Sequence, residues 1–126
     1  MATFSKEILS GSVAGIPIAL TSASTMIHQT TATAGVEDEV WLWGSNFSSV
    51  SASVNVTVTI GAVDATATTA SVITLYNTAG LTPILPGIPL TPSGSSNTRL
   101  EVQATAGSPA GSNLVNVVGY VNRITP

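Results

Sequence analysis

The sequence predicts an all-β protein: a single antiparallel β-sandwich, jelly-roll-like, of about eight short strands. Three observations lead there. No window sustains apolar residues at positions i, i+3, i+4 and i+7, so no amphipathic helix is expected. β-Branched residues and turn formers dominate throughout. Short alternating segments recur along the chain, separated by Gly, Pro and Ser clusters. At 126 residues the chain has the length of one domain, and residues 1–126 are read as one unit.

The clearest strand is residues 51–60. Val54, Val56, Val58 and Ile60 point one way, while Ser53, Asn55, Thr57 and Thr59 point the other. Burying those four aliphatic side chains contributes about 6–12 kcal/mol, an upper bound because the unfolded reference is fully extended. In residues 39–47, Val40 and Leu42 share one face and Trp41 and Trp43 the other. Apolar character on both faces suits a central strand, or one whose second face another subunit covers. The last strand, 113–124, puts Val115, Val117, Gly119 and Val121 on one face. On the other, Leu114, Val118, Tyr120 and Ile124 interrupt Asn116 and Asn122. Gly44 and Gly119 inside these strands mark bulges or close backbone approaches. Weaker strands are expected at 4–9, 16–21, 26–31, 62–68, 72–76 and 98–104, the last with Leu100 and Val102 alternating with Arg99, Glu101 and Gln103.

Residues 82–92 resist this pattern. Pro83, Pro86, Pro89 and Pro92 fix φ and remove backbone donors, so the segment is not expected to be an internal strand. Ile84, Leu85, Ile88 and Leu90 are nevertheless too apolar for a free loop. The segment either folds over the end of the sandwich or presents those side chains to a partner as a stiff contact.

Composition narrows the function. Charged residues are 7% of the chain, against about 25% in an average domain. Lys6, Arg99 and Arg123 are the basic set and the net charge is −3, so no basic patch exists for nucleic acid or an anionic membrane. No apolar run reaches the length of a spanning helix. The first residues lack a signal peptide's basic start and apolar stretch, so the chain is expected to fold in the cytoplasm where it is made. The absence of cysteine removes disulfides, thiolate metal sites and thiol catalysis. A surface so poor in charge invites association, as in a subunit covered by its neighbours.

Catalysis needs converging ionisable groups, and few exist. His28 is the only histidine and is expected to be a partly exposed strand residue. No Gly-x-Ser-x-Gly elbow exposes a serine. Glu37, Asp38 and Glu39 form the only acidic cluster, but no calcium loop follows, and they read as a solvated turn before a strand. No enzyme activity, cofactor or metal is expected. Trp41 and Trp43 share one strand face, with Tyr76 and Tyr120 as possible companions. They suit a core, a subunit interface or a platform for sugar rings.

Four stretches together carry a resemblance: residues 2–12, 38–43 (Asp-Glu-Val-Trp-Leu-Trp), 86–90 (Pro-Gly-Ile-Pro-Leu) and 119–125 (Gly-Tyr-Val-Asn-Arg-Ile-Thr). They resemble small virion proteins of tailed bacteriophages that decorate or cement the capsid. The resemblance implies a β-sandwich, a homotrimer, a place on the capsid exterior and the major capsid protein as partner. Partner contacts are then expected from Phe4, Lys6, Ile8 and Leu9, on an N-terminal arm or edge strand within residues 1–12, from Trp41 and Trp43, and from Ile84, Leu85, Ile88 and Leu90. The alternative is a carbohydrate-binding or adhesin-like module, including a small tail or head-fibre component.

Overall fold

The computed structural model of the chain describes residues 1–48, 52–63, 65–107 and 115–126. They form strands and turns and no helix: β1 (Thr3–Ile8), β2 (Ile18–Leu20), β3 (Thr25–Gln29), β4 (Glu37–Asn46), β5 (Ser53–Ala62), β6 (Thr68–Tyr76), β7 (Thr82–Leu90), β8 (Leu100–Ala106) and β9 (Val115–Thr125). The first sheet runs β1-β9-β4-β7, with β2 pairing β9 beyond the end of β1; the second runs β3-β8-β5-β6. All pairings are antiparallel, and the two sheets pack as a β-sandwich.

The core lies between them. Leu20, Val40, Leu42, Val115, Val117 and Val121 enter from the first sheet; Ile27, Val54, Val56, Val58, Leu75, Val102 and Ala104 enter from the second. The alternation expected for β5 holds, with Ile60 only half-buried at its far end. It holds for β9 too, where the even-numbered residues turn outward. Residues 51, 113 and 114, assigned to strands from the sequence, lie outside the described residues.

Two expectations need correction. Residues 62–68 are not a strand of their own. β5 runs on to Ala62, the Ala65 N–H donates to the Ala62 carbonyl at 3.1 Å, and β6 begins at Thr68. The small side chains here offer nothing to bury, and the chain reverses so that Ile73 and Leu75 can close the core against β5.

The proline-rich segment is the second. It neither caps the sandwich nor stands free, but forms β7 on the edge of the first sheet against β4. An edge is where proline is tolerated, because its nitrogen can face away from the partner strand. Prolines spaced by three do not fit a two-residue period, and two register shifts reconcile them. Pro83, Pro86 and Pro89 pair with Trp43, Trp41 and Glu39, whereas Leu85, Ile88 and Leu90 pair with Leu42, Val40 and Asp38. Ile84 and Gly87 are the extra residues. A similar shift in β3 lets Ile27 and His28, adjacent in sequence, both be buried.

Candidate functional site

The outer faces of the two sheets differ in chemistry. That of the second is mostly hydroxyl and amide, from Asn55, Thr57, Thr59, Thr74 and Gln103, with Val72, Tyr76 and Glu101 set among them. That of the first is aromatic and aliphatic. Strand alternation and register place Phe4, Lys6 and Ile8 of β1 opposite Ile124, Asn122 and Tyr120 of β9. On the other side of β9, Asn122, Tyr120 and Val118 stand opposite Glu39, Trp41 and Trp43 of β4. Side chains from strands distant in sequence thus share one surface.

Trp41, Trp43 and Tyr120 form its centre. Their ring centroids are 5.9–6.3 Å apart and their planes lie within 27° of parallel. The Lys6 ammonium sits 4.6 Å from the Tyr120 ring centroid. On the β7 side the Trp41 indole packs against Gly87, whose φ is +75° and where a Cβ would come within 2.7 Å of the ring. Beneath, Gly119 lets β9 approach β4 so closely that a Cβ there would collide with the Trp41 carbonyl oxygen. The Trp41 indole N–H donates to Glu39 Oε1 at 2.7 Å, and Asn122 Nδ2 donates to the same oxygen at 3.2 Å. Beside this cluster a hollow of about 310 Å³ is lined by Phe4, Ser5, Lys6, Glu39, Asn122 and Ile124.

Of the residues singled out from the sequence, Phe4, Lys6, Ile8, Trp41 and Trp43 come together on this face. The others do not. Leu9, Ile84, Leu85 and Leu90 are buried in the core and Ile88 packs half-buried against it, so the structure corrects their assignment as partner contacts. Residues 3–8 are not a free arm but an edge strand paired along its length with β9. Tyr120 joins the tryptophans; Tyr76 lies exposed at the end of β6 in the other sheet. Glu39 and Asn122 were missed as members of the face, although their parity with Trp41 and Tyr120 was readable.

A second polar cluster lies inside. His28, expected to be partly exposed, is 1% exposed, and Asp38, expected in a solvated turn, is fully buried within β4. His28 Nε2 is 2.8 Å from Asp38 Oδ2, and Arg123 Nε and a terminal guanidinium nitrogen donate to Asp38 at 2.8 and 3.0 Å. The Ser10 backbone N–H donates to His28 Nδ1 at 3.1 Å. With Nδ1 accepting from the Ser10 amide, Nε2 is the ring nitrogen that donates to Asp38. Burial alone raises the Asp38 pKa, but the hydrogen bonds from His28 and Arg123 and the guanidinium charge prevail and hold it at about 2.

This is no nucleophilic triad. The serine reaches the histidine through its amide, while its hydroxyl accepts from the Gln29 N–H at 2.7 Å. The cluster instead ties β3 of one sheet to β4 and β9 of the other. Among the described residues no group of three or more His, Cys, Asp or Glu is arranged to hold a metal ion.

Compared with known proteins, the chain matches no family model and no curated sequence.

Proposed function

We propose that the chain is a structural virion subunit that docks by the outer face of its first sheet on the major capsid protein and cements neighbouring copies of it. One observation carries this reading. The four stretches that resemble phage decoration proteins fall, in space, on β1, β9, β4 and β7, which are successive strands of a single sheet. The features that make up the resemblance therefore converge on one sheet, and Phe4, Lys6, Trp41, Trp43 and Tyr120 among them share its outer face.

The chemistry of that surface supports the same reading. Trp and Tyr are enriched at the centres of protein interfaces, where charged residues are depleted. The ring faces are largely occupied by one another, by Gly87 and by Lys6, which favours a protein surface packing over the cluster above a sugar stacking on a bare ring. A homo-oligomer, with a trimer as the expected state, accords with the low charge of the chain.

The test is co-sedimentation of the purified chain with capsids built from the matching major capsid protein, alongside a glycan-binding screen. Trp43→Ala should weaken particle binding about 30-fold, as expected of a residue worth about 2 kcal/mol at the centre of an interface. Undiminished binding by that variant, or selective binding of a glycan with none to particles, would overturn the reading. Sedimentation equilibrium separates a trimer from a monomer in the same preparation.

A further inference from the structure

We propose that Lys6, Asn122 and Glu39 form a self-processing site, in which the Lys6 amine and the Asn122 side-chain amide condense into an isopeptide bond that staples the first strand to the last. The three residues stand in a row across adjacent strands. Lys6 of β1 is the register partner of Asn122 of β9, and Asn122 is in turn the register partner of Glu39 of β4. Side chains directly opposite in an antiparallel pair start from Cβ atoms about 5 Å apart. All three line the same hollow, walled on its apolar side by Phe4 and Ile124.

Each group has the chemistry its place requires. Lys6 is the only lysine in the chain and brings a primary amine on a flexible four-carbon stem. Asn122 Nδ2, the atom that must leave, already donates to Glu39 Oε1 at 3.2 Å. Glu39 is itself fixed by the Trp41 indole N–H at 2.7 Å, so its carboxylate is held at the leaving group.

The step balances without a co-reactant. The neutral Lys6 Nζ attacks Asn122 Cγ, and the Nζ–Cγ bond forms. Glu39 accepts a proton from Nζ and returns it to Nδ2. The Cγ–Nδ2 bond then breaks and ammonia departs, leaving a secondary amide. Glu39 ends as it began, and each chain reacts once. General acid–base assistance of this kind is worth about 10²–10⁴ in rate. Lys6 now rests over Tyr120, so its stem must swing from that ring toward Asn122, two residues further along β9.

An ammonium has no lone pair, so the free chain is tested at mildly alkaline pH. The ionisable groups on this face around Lys6 are Glu39 and Glu37 of β4 and Tyr120 of β9; Glu7 of β1 lies on the opposite side, opposite Val121. The intact chain is incubated, denatured, digested with trypsin and weighed. Trypsin cuts after Lys6, Arg99 and Arg123, and the cut at Arg99 separates β1 from β9.

The expected product is a fragment of residues 1–99 joined to residues 100–123, uncut at Lys6 and lighter by one ammonia. Lys6→Arg and Asn122→Ala should abolish it, and Glu39→Gln should slow it at least about 100-fold. Melting temperatures of the variants, recorded in parallel, separate loss of chemistry from loss of fold. No linked fragment after prolonged incubation of the natural chain, or a link that forms as fast in Glu39→Gln, would overturn the proposal. The readout needs no partner, so it stands or falls apart from the docking reading.

Discussion

His28 of β3 and Asp38 of β4 meet across the two sheets at 2.8 Å, both side chains essentially sealed from solvent. This pair and Arg123 join the sheets by direction as well as by packing, alongside the Asn46 side-chain amide of β4, which donates to the Leu75 carbonyl of β6 at 3.0 Å. Removing one partner from such a cluster leaves the others buried without compensation, which typically costs about 3–5 kcal/mol.

Acid should reveal the cluster. The folded-state pKa of Asp38 is depressed to about 2 from 3.8, so its contribution to stability is complete above about pH 4. It is lost as pH falls through 4 toward 2, and amounts to about 2 kcal/mol. Denaturant titrations between pH 6 and 2 should show that decline. Asp38→Asn should be less stable at neutral pH and show a smaller acid loss; an acid limb of the same depth in the variant would remove Asp38 as its source.

Val58→Asp should give insoluble or unfolded protein. Val58 is fully buried on β5, opposite Ala104 and Ser71. An unpaired carboxylate there has no donor to meet it and costs several kcal/mol. Soluble protein with an unchanged thermal transition would contradict this.

Gly87→Ala should displace Trp41. The residue lies at φ +75°, which strains any side chain, and its Cβ would press on the indole at 2.7 Å. A loss of about 1–2 kcal/mol and a shift in tryptophan emission are expected. Unchanged emission would mean that the ring does not rest on the β7 backbone.

Two truncations should behave differently. Deleting residues 2–7 removes most of an exposed edge strand and should leave a folded protein with a modestly lowered melting temperature. Deleting residues 2–10 also takes Leu9 from the core and the Ser10 amide from His28, and should cost several kcal/mol more. Equal melting temperatures for the two would show that Leu9 and Ser10 contribute little.

These outcomes trace which parts of the fold can be read from residues alone. β5 and β9 were legible because each buries one face, and a two-residue alternation records that. β7 was not, since its prolines repeat every three residues and only two bulges, invisible in a periodicity, bring them onto one side. His28 and Asp38 were misplaced for a related reason. They are ten residues apart and Arg123 is 85 beyond Asp38, and nothing local says that strand pairing will join them. Of the outer face, Trp41 and Trp43 declared themselves by sharing a strand. Tyr120 and Tyr76 could be told apart only by the order of strands in each sheet.

The prolines of β7 bear on how so uncharged a chain guards an open sheet edge. Most sandwiches keep strangers from their sheet edges with lysines and acids, and this one has few to spare. Pro83, Pro86 and Pro89 achieve a similar end by omission, because a rim short of N–H groups gives an incoming strand little to hold. Interrupted besides by two bulges, that rim is a poor template for fibre growth even when many copies crowd together. Backbone chemistry thus takes over, on this flank, the protective task that electrostatic repulsion performs elsewhere.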